Sequence, residues 1–175
     1  MKPIFAITMG DPAGVSAEII VKHFANKNAY PNALPIIIGD IKCLQLAMQQ
    51  TNLFFPISRR HTLNDVEDGH DALQVIEPIQ IDQIEMGQLS ADAGRAAVSY
   101  FEYAIDLALN NQIKGIVTCP INKEAIHMAG YVDDIGHQEI LARKTGAKLT
   151  ATMLMTDNLK VAHLSTHLSL GEAVK

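Results

Sequence analysis

The hydrophobic positions of this chain fall into two rhythms. Short unbroken apolar runs at residues 3–9, 34–39 and 115–117 are bounded by Pro, Gly or Asp, as buried parallel strands are. Between them, apolar residues recur every three or four positions, the spacing of a helix with one face on a core. The first such segment follows Met9-Gly10-Asp11-Pro12-Ala13-Gly14, with Ser16 as its expected N-cap and Glu18 in its first turn. The second is expected to run from an Asp40 cap to about Gln50, burying Ile41, Leu44, Leu46, Ala47 and Met48. The longest starts from a Ser90 cap. Its stripe is Ala93, Ala96, Ala97, Tyr100, Phe101, Ala104, Ile105 and Ala108, and Gly94 costs about 1 kcal/mol against alanine while leaving room for a close neighbour.

Elsewhere the pattern is weaker. Residues 54–57 predict a short strand, 58–71 a polar surface loop carrying Arg59, Arg60, His61 and His70, and 73–81 a strand whose Pro78 points to an irregular or edge position. After residue 117 the chain breaks at Pro120, enters a helical segment ending at Gly130, crosses a loop and begins a second helix at His137. Residues 149–155 and 159–165 predict strands about a Thr156-Asp157-Asn158 turn, and a helix begins near Leu170. Strands alternating with helices predict an α/β fold with a mostly parallel sheet. There is no internal repeat or linker composition, so residues 1–175 read as one α/β unit. A helix only just begun gives the further expectation that this unit is the N-terminal portion of a longer, two-domain chain.

Composition narrows the function classes. At 175 residues the length suits one domain, since domains commonly run to about 100–200 residues. The 48% hydrophobic fraction with 5% aromatic residues and no tryptophan is the aliphatic mix of helices on a parallel sheet. A formal charge of −5 leaves no basic footprint for nucleic acid or an anionic membrane, so neither is an expected partner. No stretch approaches the roughly 20 apolar residues of a membrane span. Gly10-Asp11-Pro12 interrupts the first apolar run, unlike a signal peptide, and Cys43 and Cys119 form neither a CxxC nor a disulfide framework; the expected location is a reducing cytoplasm.

Candidate chemistry gathers where strands give way to helices. Free amides and the peptide dipoles at a helix start favour an anion, which places Lys123, His137 and Gln138 where a negatively charged small molecule is held. A solvated surface lysine is the plainer reading of Lys123 taken alone. Gly10-Asp11-Pro12-Ala13-Gly14 matches neither GxGxxG nor GxxxxGK[ST], so it reads first as a tight turn in which Asp11 either orients a cationic partner or hydrogen-bonds the loop. His163 and His167 lie in a segment of strand composition. At about 3.3 Å per residue they sit about 13 Å apart, too far to share one metal ion. His167, at the expected strand end where open parallel sheets place their sites, is the candidate ligand, and His163 a core or second-layer histidine. Cys119 reads as a small buried residue, and Met128, Met153 and Met155 as core filler.

Three stretches taken together resemble one family: Ile7-Thr8-Met9-Gly10-Asp11-Pro12-Ala13-Gly14, Pro120-Ile121-Asn122-Lys123 through Gly136-His137-Gln138-Glu139, and Ser165-Thr166-His167-Leu168. In order and register they resemble the PdxA family of 4-hydroxythreonine-4-phosphate dehydrogenases, which includes a branch acting on 4-phospho-D-threonate and 4-phospho-D-erythronate. The resemblance implies a three-layer α/β/α, isocitrate/isopropylmalate-dehydrogenase-like fold and a homodimer whose active site is shared across the interface. It also implies NAD or NADP as cofactor, a divalent metal such as zinc, magnesium or cobalt, and oxidation of the secondary alcohol of a phosphorylated hydroxy acid in pyridoxal phosphate synthesis, followed by decarboxylation. By the same resemblance His137 and Gln138 contact substrate and His167 binds metal. Gln138 stands where the family's Gly-His-Thr motif has threonine, a departure that bears on specificity. The family's remaining ligands lie in a C-terminal half beyond this sequence. Two rivals of other classes are a phosphate acyltransferase-like enzyme and an inactive truncated remnant.

Overall fold

The computed structural model describes residues 2–26, 30–69, 71–134, 136–163, 165 and 169–174. Five strands, β1 (Ile4–Thr8), β2 (Leu34–Ile38), β3 (Ile57–Arg60), β4 (Leu73–Ile76) and β5 (Gly115–Thr118), form an all-parallel sheet in the order β3-β4-β2-β1-β5. Helix α1 (Ser16–Phe24) leads from β1 to β2, α2 (Ile41–Thr51) from β2 to β3, and α3 (Ala91–Leu109) from β4 to β5. The first two crossovers run one way along the sheet and the third runs back past β1. Right-handed connections therefore put α1 and α2 on one face and α3 on the other. The packing agrees: α1 lies against α2, while α3 packs on α4 (Lys123–Met128) and α5 (His137–Thr145).

The expected caps hold at two helices. Asp40 Oδ1 accepts from the Cys43 N–H at 2.9 Å, and Ser90 Oγ from the Ala93 N–H at 3.1 Å. At α1 the cap is Val15 and Ser16 is already helical, its hydroxyl committed elsewhere. Gly94 is required, because a Cβ there would collide with the Ala125 carbonyl; its absence lets α3 and α4 touch backbone to backbone. Tyr100, Ala96 and Ala104 of α3 are fully buried against the sheet, and Val98, Phe101 and Ile105 meet Ile126 and Ile140 in a second apolar cluster.

Several expected boundaries move. The strand placed at 54–57 is β3, and Arg59 and Arg60, expected in a loop, belong to it: Arg59 pairs with Glu77 and Arg60 with Glu67 at 2.9 Å, so an edge strand satisfies its charges locally. The strand placed at 73–81 stops at Ile76 and is interior, between β3 and β2. Pro78, with no N–H for a ladder, falls in the turn beyond it. The segments at 149–155 and 159–165 shrink to β6 (Met153–Met155) and β7 (Lys160–Ala162), an antiparallel ribbon separate from the parallel sheet. Met128, Met153 and Met155 are not core filler but more than half exposed: among the described residues no helix packs over the ribbon, and Met128 ends α4 on an exposed side. Leu46 likewise sits at the rim of the α2 stripe, where Cys43 is buried in its place. A short helix α6 (Leu170–Ala173) ends the described chain, and no helix among the described residues is long and apolar enough to cross a membrane.

Candidate active site

Strand order reverses between β1 and β5, so the turns after these two strands depart to opposite faces and leave a crevice at their carboxyl ends. The turns are tied to one another. The Asp11 N–H donates to the Pro120 carbonyl at 2.9 Å, the Ser16 hydroxyl to the same carbonyl at 3.2 Å, and the Cys119 N–H to the Thr8 carbonyl at 3.0 Å. Gly10 makes this approach feasible: its φ is +67°, and a side chain there would strike the Pro120 carbonyl. Asp11 Oδ1 accepts from the Ala13 N–H at 2.9 Å, closing an Asx turn. Burial pushes its carboxyl up from the ordinary value, against the lowering effect of that bond. Of the two roles open to Asp11, the loop-bonding one is occupied.

Beyond Pro120, Asn122 caps α4, its Oδ1 accepting from the Glu124 and Ala125 N–H groups at 3.0 and 3.2 Å. Lys123 is the first helical residue and is exposed, with no ion pair among the described residues. Two amides of that helix start are thus already satisfied by Asn122, and Lys123 stands beside the turn rather than inside a cleft. Helix α5 differs. Its N-cap is Gly136, extended and without a side-chain hydrogen bond, and His137 is its first residue. The helix is clipped in place from its other end: Arg143 donates to both oxygens of the buried Asp134 at 3.1 and 2.6 Å and to Glu102 of α3 at 2.8 Å, lies 5.7 Å from the Tyr131 ring centroid, and has Lys144 beside it pairing with Asp106 at 2.9 Å. Ile140 is fully buried beneath.

So held, His137 and Gln138 open onto a cleft of about 340 Å³ whose other walls are Phe101, Ile116, Thr118, Leu141 and residues 150–152. The His137 ring stands edge-on to Phe101 at 5.1 Å, and its Nε2 is buried without a hydrogen-bond partner among the described residues. Burial lowers the imidazole pKa, outweighing the raising effect of a hydrogen bond to the Cys119 backbone. Burial therefore favours a neutral ring. An orphaned buried nitrogen is costly: with the other ring nitrogen on the Cys119 backbone, Nε2 of the neutral ring accepts from a hydroxyl, and only on proton uptake does it donate to an anionic oxygen. Gln138 has both amide ends engaged: Nε2 donates to Thr150 Oγ1 at 2.7 Å, and Oε1 accepts from Thr152 Oγ1 at 3.1 Å.

His137 and Gln138 thus share a cleft, while Asp11 and Lys123 sit on the neighbouring turns, joined to it through Cys119 and Pro120. His167 lies outside the described residues, as does His70. His163 is half-buried just past β7, its N–H donating to the Thr152 carbonyl at 2.9 Å. That ribbon is antiparallel, so the open-parallel-sheet argument for the position of His167 does not apply. Among the described residues no three His, Cys, Asp or Glu side chains are grouped to hold a metal. Cys119 is buried, its thiol pushed up to about 11, which suits a packed residue rather than a nucleophile.

A family model described as pyridoxal phosphate biosynthetic protein PdxA matches residues 31–175. The chain belongs to the PdxA family. A relative in Oceanobacillus iheyensis, named "Putative D-threonate 4-phosphate dehydrogenase", is 38% identical over 99% of this chain and 53% of its own length. The crystal structure of a 4-hydroxythreonine-4-phosphate dehydrogenase from Burkholderia phymatum superposes with a TM-score of 0.90 at 38% identity, covering 99% of this chain and 53% of that one. The Klebsiella pneumoniae 4-hydroxythreonine-4-phosphate dehydrogenase gives 0.87 at 31% identity, over 98% and 52%. This PdxA chain therefore spans about half the length of the relatives it matches. Phe101, Thr118, Thr150 and Thr152, and the Asp134–Arg143 pair, carried no signal in the sequence: the first is indistinguishable from the rest of its helical stripe, and the others are joined only by folding.

Proposed function

We propose that the protein to which this chain belongs is an NAD- or NADP-dependent dehydrogenase that oxidises the secondary alcohol of a 4-phosphorylated hydroxy acid. Family membership supports the reaction class. The observation in this chain that carries the reading is the start of α5, which has no side-chain cap and whose first residue, His137, lines the cleft with an Nε2 that has no hydrogen-bond partner among the described residues and that, once the ring is protonated, can donate to a substrate oxygen. A bound nicotinamide would supply the acceptor for the hydride that leaves the alcohol carbon. His137 and the α5 amides hold substrate oxygens, exposed Lys123 adds positive charge from the neighbouring turn, and the Asp11 turn, tied to the Pro120 carbonyl, fixes the connection between β5 and α4. The alcohol proton passes to solvent. Where the new carbonyl lies β to the carboxylate, the C–C bond to that carboxylate breaks, carbon dioxide leaves, and the electron pair goes to an enolate that solvent protonates.

The relatives' names offer two substrates, 4-hydroxythreonine 4-phosphate for pyridoxal phosphate synthesis and D-threonate 4-phosphate; the D-erythronate 4-phosphate epimer is a third of the same kind. Following reduced nicotinamide with the full-length protein and each acid separates them. Turnover of none removes the dehydrogenase reading in favour of an acyltransferase-like or inactive protein. His167 is proposed as a ligand of a divalent metal, zinc, magnesium or cobalt: metal analysis of His167→Ala in the full-length protein should show loss of bound metal, and unchanged content removes the assignment. A homodimer is proposed through the β6–β7 ribbon, whose Met153, Leu154 and Met155 are exposed by 53%, 57% and 62%. A monomer in sedimentation of the full-length protein overturns it.

A further inference from the structure

We infer that Gln138 is a positioning and specificity-determining residue: it fastens the segment at 150–152 across the mouth of the His137 cleft and so sets the width that a substrate must fit. This rests on the dehydrogenase reading of the same cleft. The geometry carries it. Gln138 is the second residue of α5, adjacent to His137, which lines the same cleft, and its amide spans two threonines on a separate segment. Residues 150–152 form one wall of the cleft and lead directly into β6. The same threonine that donates to Gln138 also receives the His163 N–H on its backbone carbonyl, so the clamp reaches both strands of the ribbon. An amide with one donor and one acceptor end satisfies two hydroxyls at once. A threonine at 138, the residue of the motif this chain departs from, has a single hydroxyl on a shorter side chain and cannot bridge both.

A direct substrate ligand and a clamp make different forecasts. A ligand acts through its own contact with the acid; a clamp acts through Thr150 and Thr152, so removing either side of the bridge has the same effect once. The test uses the full-length protein as wild type, Gln138→Met, the double variant Thr150→Val/Thr152→Val, and the triple combination. Hydrogen exchange of the amides in residues 153–162 should quicken about tenfold in Gln138→Met, from the loss of two hydrogen bonds, equally in the double variant, and no further in the triple. The ratio of kcat/KM between 4-hydroxythreonine 4-phosphate and D-threonate 4-phosphate should fall in parallel. Gln138→Glu, whose two oxygens can accept from both hydroxyls, should restore the protected exchange. Unchanged ribbon exchange in Gln138→Met, or effects that multiply in the triple variant, overturns the clamp. Because exchange is read without turnover, failure of the wild type to oxidise either acid sinks the dehydrogenase reading alone.

Discussion

Strand β2 and strand β6 are made from the same kind of residue and meet opposite fates. In β2, Leu34, Ile36, Ile37 and Ile38 are all within 1% of complete burial; in β6, Met153, Leu154 and Met155 are each more than half exposed. Both are short apolar runs, although β2 is longer and carries three β-branched isoleucines where β6 is Met-Leu-Met. The difference is what crosses them: α1 and α2 cover one face of the parallel sheet and α3 the other, while among the described residues no helix packs over the ribbon. Burial is a property of topology, and a strand pattern gives only the readiness to be buried.

The sharpest break of this comparison is a matched pair of truncations. Ile38→Ala should cost about 3 kcal/mol, because transfer energy and a residual cavity add in a rigid core. Leu154→Ala, on the bare ribbon, should cost less than about 0.5 kcal/mol. Urea unfolding of the two variants against wild type measures both. Equal losses would mean the ribbon is covered in the folded protein, as an interface through it would require.

This contrast also marks how far the sequence could be read. Strands β1, β2 and β5 were legible in type because a turn residue bounded each and a helical period followed, as with Asp40 before α2. Boundaries failed where charge and apolar residues mix: Arg59 and Arg60 look like loop, yet Glu67 and Glu77 satisfy them within an edge strand. The His137-Gln138 pair was legible from the helix start that follows a strand and loop. The walls opposite it were not, because Thr118 and Thr150 are 32 residues apart in sequence and meet only when α5 is docked on α3. Nor could spacing reveal that Asn122 would cap α4 and leave α5 the open end.

A smaller effect separates the cleft's two sides. Arg143 anchors α5 to the body while Gln138 reaches to the ribbon, so the anchor should matter more for stability and the reach more for selectivity. Arg143→Met strands the Asp134 carboxyl, which is 3% exposed as a side chain, but Arg143 itself remains 43% exposed and solvent screens part of the pair. The expected loss is about 2 kcal/mol in urea unfolding, less than for Ile38→Ala. A loss under about 0.5 kcal/mol would show that the helix is held by Ile140 and its apolar neighbours alone.

The gentlest probe is pH. The His137 imidazole is held below its ordinary value by burial, so between the folded and unfolded pKa values the unfolded chain binds more protons than the folded one. Stability then rises with pH through that window, is unaffected by this group above the unfolded value, and falls as pH drops toward the folded value. His137→Gln should flatten that part of the profile, measured as the urea midpoint across a pH series. A phosphorylated acid in the cleft works in the opposite sense, since an adjacent anion favours the imidazolium. Its binding should therefore raise the His137 pKa, take up protons and tighten as pH falls toward the folded value, until the phosphate itself begins to gain a proton. Calorimetry in two buffers of different ionisation enthalpy reads that uptake directly. Binding with no proton linkage in wild type, or with the same linkage in His137→Gln, would place the anion away from Nε2 and return the cleft to the ribbon side.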